Sequence, residues 1–169
     1  MKLIYLDTSA YLKEFAREQG AEAIATLFEL CEKGKIHLLI SEWAINEGIA
    51  AVDRKLRRGE ITLKERDGIT SEILRVTRDL ALTTNLILLP VESSLVSSSV
   101  RLITERHLSA DDSLQLFSAL AGGAEMLVSA DPRLNEAASS EGIRSFDIEK
   151  ASDAKELLSS LGLQQERRR

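Results

Sequence analysis

The chain has 169 residues, 44% of them apolar and 29% charged, with a formal net charge of −5, a length and balance expected of one globular domain. Its single cysteine, Cys31, excludes an internal disulfide, and Cys31 with His37 and His107 is too small a set for a zinc cluster. No apolar run reaches the roughly 18–20 residues of a membrane span, and Asp7 interrupts the first apolar run too early for a signal peptide, so a cytoplasmic setting without a membrane partner is expected.

Short apolar runs alternate with longer stretches of helical period, the pattern of an α/β fold with a mostly parallel sheet. Strands are expected at residues 3–6, 36–40, 86–91, 126–128 and 144–148. Their lack of polar alternation suits strands covered on both faces. Helices are expected at 10–33, with a break near Gly20, and at 42–58, 63–83, 93–106, 110–121, 133–140 and 151–160. Thr8 or Ser9 is the expected cap of the first helix, Ser41 of the second and Ser109 of the one that begins at Ala110. No domain boundary interrupts the chain: residues 1–150 read as the main domain, and 151–169 as a helical extension of it ending in a basic tail.

The informative residues are acids where folding alone does not call for them. Asp7 follows the first strand directly, and Asp131 lies just beyond the fourth. In open α/β sheets ligands bind outside the carboxyl ends of strands where strand order reverses, so neighbouring first and fourth strands would bring these two acids to one crevice. The other reading makes each of them a helix cap. On a helical wheel Glu47 lies among Trp43, Ala44, Ala50 and Ala51, a face of small and apolar residues where a lone charge costs free energy. In the Asp111-Asp112 pair, Asp112 sits at the edge of the apolar face, whereas Asp111 aligns with Gln115 and Ser118 on a polar side expected to be solvated. Four carboxylates without cysteine or histidine are hard oxygen donors, suited to Mg²⁺ or Mn²⁺. Such ions would relieve their mutual repulsion and could support phosphodiester hydrolysis.

Four segments then carry a resemblance: Leu-Asp-Thr-Ser-Ala-Tyr-Leu (6–12), Ile-Ser-Glu-Trp-Ala-Ile-Asn-Glu (40–47), Leu-Ser-Ala-Asp-Asp-Ser-Leu-Gln-Leu-Phe-Ser-Ala-Leu (108–120) and Leu-Val-Ser-Ala-Asp-Pro-Arg-Leu-Asn-Glu-Ala-Ala (127–138). In this order the chain resembles the PIN domain family over about residues 2–148, especially the VapC-type ribonuclease toxins of toxin–antitoxin pairs. The resemblance implies a three-layer α/β/α sandwich on a five-stranded parallel sheet. It also implies a homodimer, single-stranded RNA as substrate and a small VapB-like antitoxin partner. By the same resemblance Asp7, Glu47, Asp112 and Asp131 form the acidic quartet that binds Mg²⁺ or Mn²⁺, supported by Thr8 or Ser9 and by Ser129. Gln115 and Phe117-Ser118 depart from the family's more usual residues after the third acid, the helix at 63–83 is long, and the segment from 151 onward extends past the usual core.

Two alternatives accompany this reading. A haloacid-dehalogenase-like phosphatase would use a strand-end Asp as nucleophile but expects a second Asp where Ser9 stands. A non-catalytic RNA-binding or adaptor domain would keep the fold without the chemistry. The remaining features read plainly: Cys31 as an apolar filler, and Tyr5, Tyr11, Phe15 and Phe28 as core. The basic run Arg54, Lys55, Arg57, Arg58, Lys64 and Arg66 reads as a solvated face or an RNA-guiding one.

Overall fold

β1 (Lys2–Leu6) lies at the centre of a five-stranded sheet whose order is β3-β2-β1-β4-β5 and whose strands are all parallel. The computed structural model describes residues 1–162; the expected basic tail lies outside the described residues. The other strands are β2 (Ile36–Ser41), β3 (Leu86–Leu89), β4 (Met126–Ser129) and β5 (Arg144–Asp147). Tyr5 pairs in register with Leu39 of β2 on one side and Leu127 of β4 on the other. The chain thus winds outward from β1 in both directions, so strand order reverses between β1 and β4, the position at which open α/β sheets hold ligands.

Strand residues alternate between two faces, and that alternation divides the core. Ile4, Leu6, Leu38, Ile40, Met126 and Val128 pack against one layer formed by α1 (Thr8–Tyr11), α2 (Ala21–Glu32), α3 (Glu42–Arg57), α4 (Leu63–Leu82) and α8 (Ala151–Ser160). Tyr5, Leu39 and Leu127 face the other layer, formed by α5 (Ser93–Arg106), α6 (Ala110–Ala121) and α7 (Pro132–Ser140). The result is the expected three-layer α/β/α sandwich. Each fully buried Leu or Ile contributes roughly 1.5–3 kcal/mol, so both faces of the sheet stabilise the fold. Within the first layer Tyr11, Phe15 and Phe28 form an edge-on aromatic group, with Phe15 5.4 Å from Tyr11 and 6.4 Å from Phe28. Leu157 of α8 is fully buried in the same core, and burial pushes the Cys31 thiol up to about 11, as suits an inert filler.

Three boundaries differ from expectation for local reasons. The first long helix breaks near Gly20 as expected, but the break starts earlier: α1 is followed by a 3-10 turn at Leu12–Phe15 and an extended Ala16, and helix resumes at Ala21. Gly20, at φ 87°, starts α2 where any Cβ would lie 2.6 Å from the carbonyl oxygen of Ile148. The link between α1 and α2 is pinned to the chain just past β5, since buried Lys13 donates to Glu149 at 2.7 Å. β3 stops at Leu89 because Pro90 has no N–H for the ladder. The cap of α1 is Asp7 itself, not Thr8 or Ser9. At the end of α6, Gly122 lies so close to the sheet that a Cβ would stand 2.3 Å from Leu39 Cδ2.

Candidate active site

The site grows from helix starts at the carboxyl edge of the sheet. The chain leaves β1 at Asp7 and turns at once into α1, so the Asp7 carboxylate caps that helix through the Ala10 N–H at 2.8 Å. It also accepts from Ser9 Oγ at 2.8 and 2.9 Å and from Ser129 Oγ at 2.8 Å. With 5% of its surface exposed, Asp7 has little water to solvate a charge, and burial pushes its carboxyl up to about 6 even though these donors favour the ionised form.

Ser129, at the end of β4, is fully buried and links two acids: it donates to Asp7 and accepts from the Asp131 N–H at 2.8 Å. Asp131 then caps α7, its Oδ1 accepting from the N–H groups of Arg133 at 2.7 Å and Leu134 at 3.3 Å. Pro132 is the first helical residue, where a missing N–H costs nothing. Asp7 and Asp131 are therefore helix caps and cleft residues at once.

His107, in the left-handed region at φ 55°, ends α5, and Ser109 starts α6 two residues later. Ser109 Oγ donates to Asp112 Oδ2 at 2.7 Å and accepts from the Asp112 N–H at 3.1 Å, which fixes that carboxylate. Burial, reinforced by the charges of Asp131 and Asp111, holds the Asp112 carboxyl above its ordinary range, against Ser109 and the Arg133 charge. Asp111 is exposed and does not line the cleft.

Glu47 comes from the second turn of α3, the helix that Ser41 caps through the Trp43 N–H. Its Oε2 accepts from Thr8 Oγ1 and, at 2.6 Å, from Gln115 Nε2. Gln115 also donates to Thr8 Oγ1 at 2.8 Å and accepts from the buried phenol of Tyr5, whose titration burial displaces far upward. Gln115 is thus the junction of the site, although its helix face reads as solvated in the sequence. The polar strip of α6 lies against the end of the sheet: Gln115 is 3% exposed, and Ser118 is fully buried. A glutamine one helical turn beyond Asp111 was the available signal, and only the hydroxyl of Tyr5 beneath it gives it meaning.

Asp7, Thr8, Ser9, Glu47, Asp112, Gln115 and Asp131 line one cleft of about 280 Å³, with Leu12, Ala51 and Arg54 completing its wall. Among the described residues no lysine or arginine forms an ion pair with any of the four acids. Each is held instead by hydroxyls, amides or backbone N–H groups. The all-oxygen donor set fits a hard divalent ion in chemistry and in location. In spacing it is open: as the side chains stand, no three Asp, Glu, His or Cys among the described residues are gathered closely enough to hold an ion.

The PIN domain family model matches residues 4–139, and the chain belongs to that family, whose members are generally nucleases. This sets it apart from haloacid-dehalogenase-like phosphatases. No curated protein sequence matches the chain. Among solved structures it is similar to PAE2754 from Pyrobaculum aerophilum, at 18% identity and TM-score 0.63, covering 96% of this chain and 98% of that one. It is also similar to FitAcB from Neisseria gonorrhoeae, at 12% identity and TM-score 0.60, covering 86% and 97%. A third likeness is to Mycobacterium tuberculosis VapC20, a sarcin–ricin loop cleaving toxin, at 14% identity and TM-score 0.57, covering 83% and 95%. At these identities the likenesses establish a shared fold. None of the described helices is long and apolar enough to cross a membrane.

Proposed function

We propose that the protein is a metal-dependent endoribonuclease that hydrolyses phosphodiester bonds of single-stranded or loop RNA, as the toxin of a VapBC-type pair. One observation carries this reading: four acids from four separate elements line a single cleft at the switch point of the sheet. Membership in the PIN family and the likeness to a toxin that cleaves the sarcin–ricin loop support nucleic acid, and RNA in particular, as substrate.

Asp7, Asp112 and Asp131, with Glu47, would hold Mg²⁺ or Mn²⁺, which when bound supplies Lewis-acid stabilisation of a phosphate and a water of lowered pKa. The chain's own residues do the rest. Ser9, Ser129 and the Ala10 N–H fix the Asp7 carboxylate, and Ser129 ties its position to that of Asp131. Thr8 and Gln115 both bond Oε2 of Glu47, so Oε1 is the oxygen that would take a proton from an attacking water. Catalysis is assigned to residues 1–150, with 151–169 an extension of the same unit. The reading includes cytoplasmic action, a homodimer and a small VapB-like antitoxin partner; the likeness to the toxin VapC20 supports the last.

The second reading, an adaptor that binds RNA without cutting it, has one observation in its favour, the open spacing of the carboxylates. Cleavage of a structured RNA panel in Mg²⁺, Mn²⁺ or chelator, with wild type and Asp112→Asn side by side, separates the two. Cleavage that needs the metal and the Asp112 carboxylate is expected. RNA binding without cleavage under every metal would establish the adaptor.

A further inference from the structure

The basic run on α3 and the start of α4 separates into four residues that are already neutralised and two, Arg54 and Lys64, that have no ion pair among the described residues. Lys55 pairs with Glu18 at 2.6 Å, Arg57 with Asp53 at 3.1 Å, Arg58 with Glu60 at 3.8 Å, and Arg66 with Asp67 at 2.8 Å and Asp53 at 3.7 Å. Of these two, and of all six cations in the run, Arg54 alone lines the acid cleft. Glu47, Ala51 and Arg54 follow one another at i, i+4 and i+7 and all three line that cleft, a single stripe of α3. Two helical turns put Arg54 about 10 Å along the wall from Glu47, and the small side chain of Ala51 leaves the space between them open.

We infer that Arg54 binds a backbone phosphate of the RNA adjacent to the phosphate that is cut, and so fixes the strand along the cleft. This rests on the nuclease reading above. A cleft lined by four carboxylates repels a polyanion, and a cation at its rim offsets that repulsion where the strand continues. The planar guanidinium matches phosphate oxygens in pairs, whereas the neighbouring cations already have their carboxylates. Among the described residues Arg54 bonds none of the four acids, so it is assigned as a positioning residue that reads charge and not base identity.

The test uses a fluorescein-labelled single-stranded RNA of mixed sequence, bound in Mg²⁺ to the Asp7→Asn protein so that no strand is cut. Adding Arg54→Ala should weaken binding about tenfold and make the slope of log K against log salt shallower by about 0.7, the loss of one phosphate contact. Arg57→Ala should leave both unchanged. Arg54→Lys keeps the charge and should restore the slope with part of the affinity. In the cleaving protein Arg54→Ala should raise KM with kcat nearly intact. Unchanged affinity and slope in Arg54→Ala would overturn the assignment while leaving the nuclease standing. Failure of the wild-type protein to cleave the RNA in either Mg²⁺ or Mn²⁺ would overturn the nuclease reading with it.

Discussion

Gln115 on α6 donates to Glu47 on α3 at 2.6 Å, a bond between helices on opposite layers of the sandwich that passes over the end of the sheet. Because Gln115 also accepts from the Tyr5 hydroxyl beneath it, one neutral side chain sets the height and direction of an acid from the other layer. Replacing it with leucine leaves a buried phenol without a partner and a half-buried carboxylate held by Thr8 alone. Gln115→Leu is expected to lower stability by about 1–3 kcal/mol in urea denaturation. It should also reduce RNA cleavage at least tenfold, through kcat more than KM. A stable variant with undiminished kcat would show that Glu47 needs no such support.

Asp7 serves the fold as a cap and the cleft as a carboxylate, and asparagine can do only the first. Asp7→Asn should therefore fold with a loss of well under about 1 kcal/mol, since Asn caps helices as well as Asp does, while cleavage is nearly abolished. Full activity in this variant removes Asp7 from the mechanism.

The adjacent acids at the start of α6 face different surroundings. Asp112 lines the cleft and is fixed by Ser109; Asp111 is exposed. Asp112→Asn is expected to cost at least a hundredfold in cleavage rate, and Asp111→Asn less than threefold, roughly 3 and under 1 kcal/mol of barrier respectively. The opposite ranking in single-turnover assays would move the metal-facing role to Asp111.

Metal binding can be read without any substrate. An ion that binds only the folded state stabilises it by RT ln(1 + [L]/Kd), about 2.7 kcal/mol at a hundredfold excess over Kd. Millimolar Mg²⁺ or Mn²⁺ should raise the melting temperature of wild type and have no such effect on Asp112→Asn. Equal shifts in both proteins would place the ion elsewhere.

Glu14, in the 3-10 turn after α1, has a buried Oε2 without a hydrogen-bond partner among the described residues. Burial, added to by the charges of Glu32, Glu29 and Glu72, pushes its carboxyl up to about 7 from an ordinary 4.5. Between those two values the folded chain keeps a proton that the unfolded chain has released, so this residue lowers stability as pH rises through the window and costs its full amount above it. Glu14→Gln should match wild type near the ordinary carboxyl pKa and be more stable above about 7, with a melting temperature higher by a few degrees. A difference that does not change across the window would show that Glu14 titrates normally.

Much of this architecture could be read from the sequence because its physics is local. Ile4, Leu6, Leu38 and Ile40 face one layer while Tyr5 and Leu39 face the other, yet in the sequence they are unbroken apolar runs, as strands buried on both sides must be. Asp7 stood out because an acid ends such a run, and Glu47 because it interrupts a face of small residues. The break at Gly20 was legible, but its early start after α1 escaped, since Phe15 and Ala16 carry no helix-breaking chemistry and the turn is held by distant Ile148 and Glu149. Gln115 escaped for a related reason: a helical wheel separates polar from apolar but cannot tell a strip that meets water from one that meets the hydroxyl of Tyr5.

β1 is flanked by β2, made early in the chain, and by β4, made late, and the acids come from both sides of that centre. Any stretch of this polypeptide that stops short of Asp131 has at most three of the four carboxylates, and without β4 it also lacks Ser129, the brace of Asp7. During translation a ribosome would therefore carry a nascent chain with an incomplete cleft until most of the sheet had emerged.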